Sequence, residues 1–227
     1  MSDVSKIIGV DIATIAKVNN IAIGGIGSIG GSDITSTPSF TGDDFTGTNG
    51  DPINTTNWVD IGSTDNWVIQ NNKANCNLGG SKQLISDSLF RVSGDFNIQI
   101  DIDTFASTGD GPLFRLGGWI EDLTYGFWIG FGRPNTLSGS FKTAGSFDAG
   151  TEVARSNNYG KLGIYRIGTV HYLQYQDGGG GWTALVNKDQ GNSDDMLIKI
   201  FAITGAGEAV SGNMDNFVVN SGTILWP

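Results

Sequence analysis

The 227-residue chain carries 13 Lys and Arg against 23 Asp and Glu, a net charge of −10, with 35 glycines and one cysteine. A surface this acidic has no basic face for nucleic-acid phosphates and disfavours anionic membranes; one cysteine excludes an intrachain disulfide and a cysteine-based zinc site. Glycine at roughly twice the ordinary usage of ~7% weakens helices and supplies tight turns, so an all-β protein of many short strands is expected.

The stretch "KIIGVDIATIAKVNNIAIGGIG", Lys6 to Gly27, is one eleven-residue unit written twice: Lys6 falls on Lys17, Ile7 on Val18, Val10 on Ile21, Ile12 on Ile23 and Ile15 on Ile26. Spacings of 3, 2, 3 and 3 spread the apolar positions around a helix, and Gly24, Gly25 and Gly27 each cost about 1 kcal/mol there. Short strands and turns fit better. Asp3, Asp11 and Lys17 break the apolar run too early for a signal peptide or a membrane span, so cytoplasmic synthesis followed by assembly is expected. A short strand cannot bury its own isoleucines. The side chains Ile7, Val10, Ile12, Ile15, Val18, Ile21, Ile23 and Ile26 therefore form a candidate interface, in a homotrimeric stem or against a larger assembly, with a flexible tail as the third reading. The Gly-, Ser- and Thr-rich residues 31–43 read as a linker, leaving residues 1–30 as an anchor and 44–227 as the main domain.

In the main domain, strand patterns alternate with turns every 8–15 residues. "NWVIQNNKANCNL" (Asn66 to Leu78) is a hairpin with Asn71-Asn72 at its turn, and Cys76 is a small buried residue on it. "GDFNIQIDIDTF" sets Phe96, Ile98, Ile100 and Ile102 on one face and Asn97, Gln99, Asp101 and Asp103 on the other. That alternation demands one buried and one wetted sheet face. "YGFWIGFG", "GKLGIYRIG", "TVHYLQYQD", "MLIKIFAITG" and "NMDNFVVNSGTILW" continue the pattern, with His171 as a strand residue. Two antiparallel sheets packed face to face satisfy it.

"DDFTGTNGDPINTTNWV" (Asp43 to Val59), followed by "NWVIQNNKANC", resembles the opening of concanavalin A-like (laminin-G-like) jelly rolls. "GNMDNFVV" (Gly212 to Val219) is similar to their last strand, which pairs with the first. The resemblance covers residues 43 to about 224 and implies a jelly-roll sandwich with Trp58 and Trp67 near the core edge. Some relatives hold a structural calcium ion between first and last strands. Asp44 and Asp215 match those places and Ser193 to Asp195 offers other oxygens, yet no calcium-loop spacing is present, and turn-capping aspartates explain the same residues. No cofactor is assigned. The N-terminal repeat is loosely similar to segments of bacteriophage virion and tail-fibre proteins.

The jelly roll also hosts glucanases, whose carboxylates come from alternate residues of one strand in an E-x-D-x-x-E pattern. Only Glu121, Glu152 and Glu208 are present and none sits in such a pattern; "DID" at Asp101 to Asp103 reads as a solvated face, and His171 has no nucleophile motif beside it. These features set the expectation of a protein that is not an enzyme. For sugar recognition, flat rings and hydrogen-bonding side chains concentrate in "LFRLGGWIEDLTYGFWIGFGRP". With Phe127, Ile129 and Phe131 inward, Trp128 points outward. Arg115, Trp119, Tyr125, Trp128 and Arg133, with Trp182 from the hairpin "YQDGGGGWTAL", are the candidate glycan-binding residues; packing under a loop or at a subunit interface accounts for the same pattern. The expected protein is a non-enzymatic virion appendage with self and other virion proteins as partners, its head adsorbing host-surface glycans or decorating the particle. An extracellular carbohydrate-binding module is the alternative, and a polysaccharide-degrading enzyme a third.

Overall fold

The structure, a computed structural model, describes residues 40–61, 67–111, 113–133, 135–155 and 157–227, together with four two-residue strands nearer the N-terminus. The chain divides into two compact units, Met1–Phe40 and Thr41–Pro227. In the first, β1 (Lys6–Ile7) pairs antiparallel with β2 (Val10–Asp11) and β3 (Ser28–Ile29) with β4 (Ser32–Asp33). Ile7 faces Val10 in the β1–β2 ladder. The other ladder residues, Ile12, Ile15, Val18, Ile21, Ile23 and Ile26, lie outside the described residues.

The second unit is built from β5 (Gly42–Asp43), β6 (Trp58–Asp60), β7 (Val68–Ile69), β8 (Ala74–Gly79), β9 (Gln83–Thr108), β10 (Leu113–Trp119), β11 (Gly126–Arg133), β12 (Thr136–Thr143), β13 (Ser146–Phe147), β14 (Thr151–Ala154), β15 (Gly160–Ile167), β16 (Val170–Gln176), β17 (Trp182–Asp189), β18 (Met196–Ile203) and β19 (Ala209–Leu225). All pairings are antiparallel. One layer runs β12, β11, β10, β18 and the first half of β9, with β13 and β14 on β12 and β6 on β9. The other runs β7, β8, β19, the second half of β9, β15, β16 and β17. Hydrogen bonding is continuous between layers because β9 and β19 are long enough to serve both. β9 turns at Gly94, whose φ of 70° belongs to the left-handed region open to glycine.

This is the two-sheet sandwich expected from the alternation. Phe96, Ile98, Ile100 and Ile102 of β9 are all at most 2% exposed, and each such side chain contributes roughly 1.5–3 kcal/mol by burial. Across the interior Phe96 stacks on Phe127 at 6.5 Å and Phe105 on Phe131 at 5.0 Å, with Ile129 also buried. The Asn71-Asn72 turn takes φ of 54° and 57°, the pair of positive values that a two-residue hairpin of matching twist requires. Cys76 is buried, and burial pushes its thiol up to about 12.

The first and last strands of this unit are tied together as the resemblance implied: Phe217 of β19 pairs with Asp43 of β5. Asp43 is buried and accepts hydrogen bonds from the Phe45 amide (2.8 Å), Asn57 Nδ2 (2.9 Å) and Trp58 Nε1 (3.0 Å). The Trp58 ring packs on Phe45, Phe90 and Phe217. Between the layers lie two polar side chains, Arg166 and His171, each 1% exposed. Arg166 donates to the Gly94 and Asp194 carbonyls. His171 sits between Phe96 and Phe127, neither ring nitrogen in hydrogen-bond geometry. Burial first, then the charge of Arg166, depresses its pKa to about 4.

Two outcomes are expected. Asp43→Ala leaves the Trp58 N–H and the Phe45 amide buried without an acceptor and should cost about 2–4 kcal/mol in urea unfolding, with Asp43→Asn costing less. For His171, the fold favours the neutral ring. Its contribution is complete above ~6.5 and falls as pH drops toward about 4, where the unfolded chain binds a proton that the folded one refuses. The loss should reach about 3 kcal/mol. His171→Leu should flatten that part of the stability-against-pH curve; an unchanged slope between pH 6.5 and 4 would contradict the assignment.

Candidate functional site

Cross-strand register lays out the outward face of the β12–β11–β10–β18–β9 layer. One row runs Ser140, Trp128, Gly117, Lys199, Asp87; the next runs Ser138, Gly130, Arg115, Phe201, Ile85. The inward neighbours on β11, Phe127 and Ile129, are buried, so alternation turns Trp128 out. Glycine decides what happens next. A Cβ on Gly117 would lie 2.3 Å from Trp119 Cζ3, and one on Gly126 2.5 Å from Trp119 Cδ1. The Trp119 indole therefore lies flat across two strands, on ground that only glycine leaves clear. A Cβ on Gly130 would lie within 2.6 Å of the Arg115 Cα and 2.7 Å of its Cγ, so glycine there admits the close approach of the β10 backbone and the Arg115 stem.

Arg115 then reaches over Trp128, its guanidinium carbon 3.2 Å from the ring centroid, a cation–π stack that leaves both half-buried. Burial lowers the Arg115 pKa to about 9, partly countered by the Glu152 carboxylate, and the group stays cationic at neutral pH. Its Nε is buried without a hydrogen-bond partner. The segment 147–152 walls the face. Asp148 pins it by accepting from Ser140 Oγ (2.8 Å) and the Phe141 amide (3.0 Å), with Lys188 at 3.4 Å. Burial pushes Asp148 up, and those bonds together outweigh it, so its pKa lies below the usual carboxylate range. The cleft has a volume of about 390 Å³, with Arg115, Trp119, Trp128, Phe201, Asp148 and Glu152 in its lining.

Of the six side chains expected to meet a glycan, the structure brings Arg115, Trp119 and Trp128 together. Tyr125 precedes β11, Arg133 is exposed at its far end beside Thr136, and Trp182 belongs to the other layer. Phe201, Asp148 and Glu152 were missed. Phe201 escapes simple alternation: Met196, Ile198, Ile200 and Ala202 point inward, which puts Phe201 on the outer face, yet it is buried there against Trp119. Asp148 and Glu152 lie on a short wall with no strand-like alternation of apolar residues. Asp101 and Asp103 pair with Lys161 (2.5 Å) and Lys73 (2.8 Å) on the wetted face. Asp44 caps its own turn by accepting from Thr46. Among the described residues no group of three or more His, Cys, Asp or Glu is placed to hold a metal ion.

Neither a protein-family model nor a curated protein matches this chain. Solved structures do. A Bacillus licheniformis β-glucanase superposes with a TM-score of 0.57 at 10% identity, over 78% of this chain and 96% of that one. A legume lectin-like domain from Entamoeba histolytica gives 0.56 at 13% identity, over 75% and 94%. A LamA variant from Z. galactanivorans, in complex with laminaritriose and laminaritetraose, gives 0.58 at 8% identity, over 79% and 98%. These findings correct the expectation that the protein is not an enzyme. That expectation rested on the absence of a one-strand carboxylate pattern, whereas the architecture is one that β-glucanases use, and Asp148 and Glu152 reach the cleft without such a pattern. The comparisons lend nothing to the virion expectation. The fold is the all-β, antiparallel jelly-roll sandwich of lectin-like domains and β-glucanases.

Proposed function

We propose that the Thr41–Pro227 unit is a carbohydrate-recognition domain, with the Trp128 cleft as its glycan site. One observation carries the reading: the stacked Arg115–Trp128 pair and the flat Trp119 ring line one open cleft on a sheet face, 3.2 Å separating guanidinium carbon and ring centroid. Flat rings match the C–H faces of a pyranose, while guanidinium N–H groups, Ser138, Ser140 and Glu152 can bond its hydroxyls. This is the role of an extracellular carbohydrate-binding module. Its neutral or hydroxyl-rich ligand suits a chain of net charge −10.

A second reading, cleavage of the bound glycan, draws on Asp148 and Glu152 together in the cleft lining, since glycoside hydrolysis needs two carboxylates beside one bond. The virion reading rests on the doubled apolar repeat of residues 6–27, which would serve as a homotrimeric stem or a dock onto other virion proteins; comparing the solution mass of the full chain with that of a chain starting at Ser32 tests it.

Calorimetric titration with laminaritetraose and with mixed-linkage β-glucan oligosaccharides tests the cleft. Trp128→Ala should weaken binding roughly 5–30-fold, about 1–2 kcal/mol; affinity equal to the wild type would remove the proposal. Reducing-end release from the same glycans, lost in Glu152→Gln, would establish the second reading. Gly117→Ala tests the floor of the site. The added methyl must lift Trp119, so the domain should lose about 1–3 kcal/mol of stability and its glycan affinity should fall with it.

A further inference from the structure

The opposite face of the sandwich carries a second aromatic surface, on β15, β16 and β17. Trp182 pairs with Gln176 across β16–β17 and leans inward along the sheet. A Cβ on Gly163 of β15 would lie 2.8 Å from Trp182 Cζ3 and 2.9 Å from Gln174 Cγ. Here too an indole rests over a glycine, yet Trp182 is 38% exposed, far more open than Trp119 at 9%. Two residues along the same strand, and so on the same face, Tyr165 stacks on Tyr172 with centroids 4.3 Å apart and planes 2° from parallel. One face of each phenol is spent on the other, and both residues are half-buried. The register adds amides to this face: Gly163 pairs with Gln174 and Gln99, and Tyr165 with Asn97.

The chemistry of this strip differs from the rest of the surface. Its members, Trp182, Tyr165, Tyr172, Gln174, Gln99 and Asn97, are all uncharged on a chain of net charge −10. Flanking charges are tied up in ion pairs, Lys161 with Asp101 and Asp177 with Arg155. Burial and the neighbouring Tyr172 raise the Tyr165 pKa, so that phenol keeps its proton as a donor. Asn97 Oδ1 is buried and has no hydrogen-bond partner. A charged peptide or phosphate finds no counter-ion in the strip. A flat apolar ring bordered by amides and hydroxyls matches an uncharged sugar chain lying across the strands.

The geometry points to a second, cleft-independent binding platform for a neutral polysaccharide on the β15–β16–β17 face, centred on Trp182. The inference builds on the reading of the domain as carbohydrate-binding, and assigns to this face contact with long chains rather than with the short segment that the cleft encloses.

The test uses the full chain. Affinity gel electrophoresis in mixed-linkage β-1,3-1,4-glucan reads polymer binding, and calorimetry with laminaritetraose reads the cleft. Trp182→Ala should reduce retardation by the polymer ~3–10-fold, the scale of one exposed ring, and leave laminaritetraose binding unchanged. Trp128→Ala should do the reverse, and the double variant should lose most of both. Gln174→Ala, which keeps the indole, gives a milder version of the Trp182 effect and serves if Trp182→Ala lowers the unfolding midpoint. Retardation by the polymer that is absent in the wild type, or undiminished in both variants on this face, overturns the inference. So does a change in solution mass on Trp182→Ala with polymer binding intact, which would give the face to another protein chain. Failure of the cleft reading looks different: Trp128→Ala is then silent whatever Trp182→Ala does.

Discussion

A ring can lie flat on a β-sheet only where the residues beneath it have no Cβ. That steric condition shapes both outer faces of this sandwich. Trp119 occupies the ground over Gly117 and Gly126, Arg115 the ground over Gly130, and Trp182 that over Gly163. At an ordinary sheet position the methyl of alanine would stand 2.3–2.8 Å from the ring atoms, well inside contact, and the ring would be forced upright. Glycine inside a strand ordinarily weakens it by roughly 0.5–1 kcal/mol. The surplus of glycine in this chain thus has two origins: turns, as at Gly94, and strand interiors where a close approach requires it.

The sandwich beneath supplies the rigidity that such surfaces need. The aromatic and aliphatic stripe of β9 packs on β11 across the middle, and β9 and β19 pass from one layer to the other, so the faces cannot slide independently. Asp43 fixes the seam. Its carboxylate gathers donors from Phe45, Asn57 and Trp58, joining the first strand of the domain to the aromatic cluster under β6 and β19. A buried carboxylate without these donors would be costly; with them it acts as a staple between the first and last strands of the unit.

The fold was legible because its signal is periodic. Strict alternation over Phe96–Ile102 and Phe127–Phe131 sorts residues into core and surface without reference to distant neighbours. Trp128 followed from the same rule, while the Asn71-Asn72 turn followed from its turn residues. The site was only partly legible, because a cleft is assembled across strands. Arg115 and Trp128 meet through the β10–β11 register, and Asp148 and Glu152 arrive on a short wall whose position depends on the Ser140 and Phe141 bonds. Trp182 was grouped with the cleft aromatics by composition, but strand order sends β17 to the other layer. Its separation is what makes a second surface thinkable. The extended length of β9 was also hidden: Ser93-Gly94 looks like a break, and the structure uses it as a bend within one strand.

Charge completes the account of what the faces can hold. Most carboxylates on the wetted sheet face are tied down, Asp101 by Lys161 and Asp103 by Lys73, so the net acidity is not concentrated where the rings are. In the cleft, Arg115 is the cation nearest Trp128, and its low exposure strengthens any bond it makes, since a buried guanidinium left without an acceptor pays a desolvation cost. Glu152 offsets that cost electrostatically without a hydrogen bond to it in view. A sugar hydroxyl entering the cleft would meet a donor that already lacks part of its hydration. Water would have to leave only the ring faces, where its departure is favourable. On the proposed glycan reading, the same arrangement that keeps Arg115 charged would favour uncharged, hydroxyl-rich ligands: an anionic ligand would gain from the guanidinium but would face Asp148 and Glu152 in the cleft, whereas a neutral one would collect the ring contact and the donors without that repulsion.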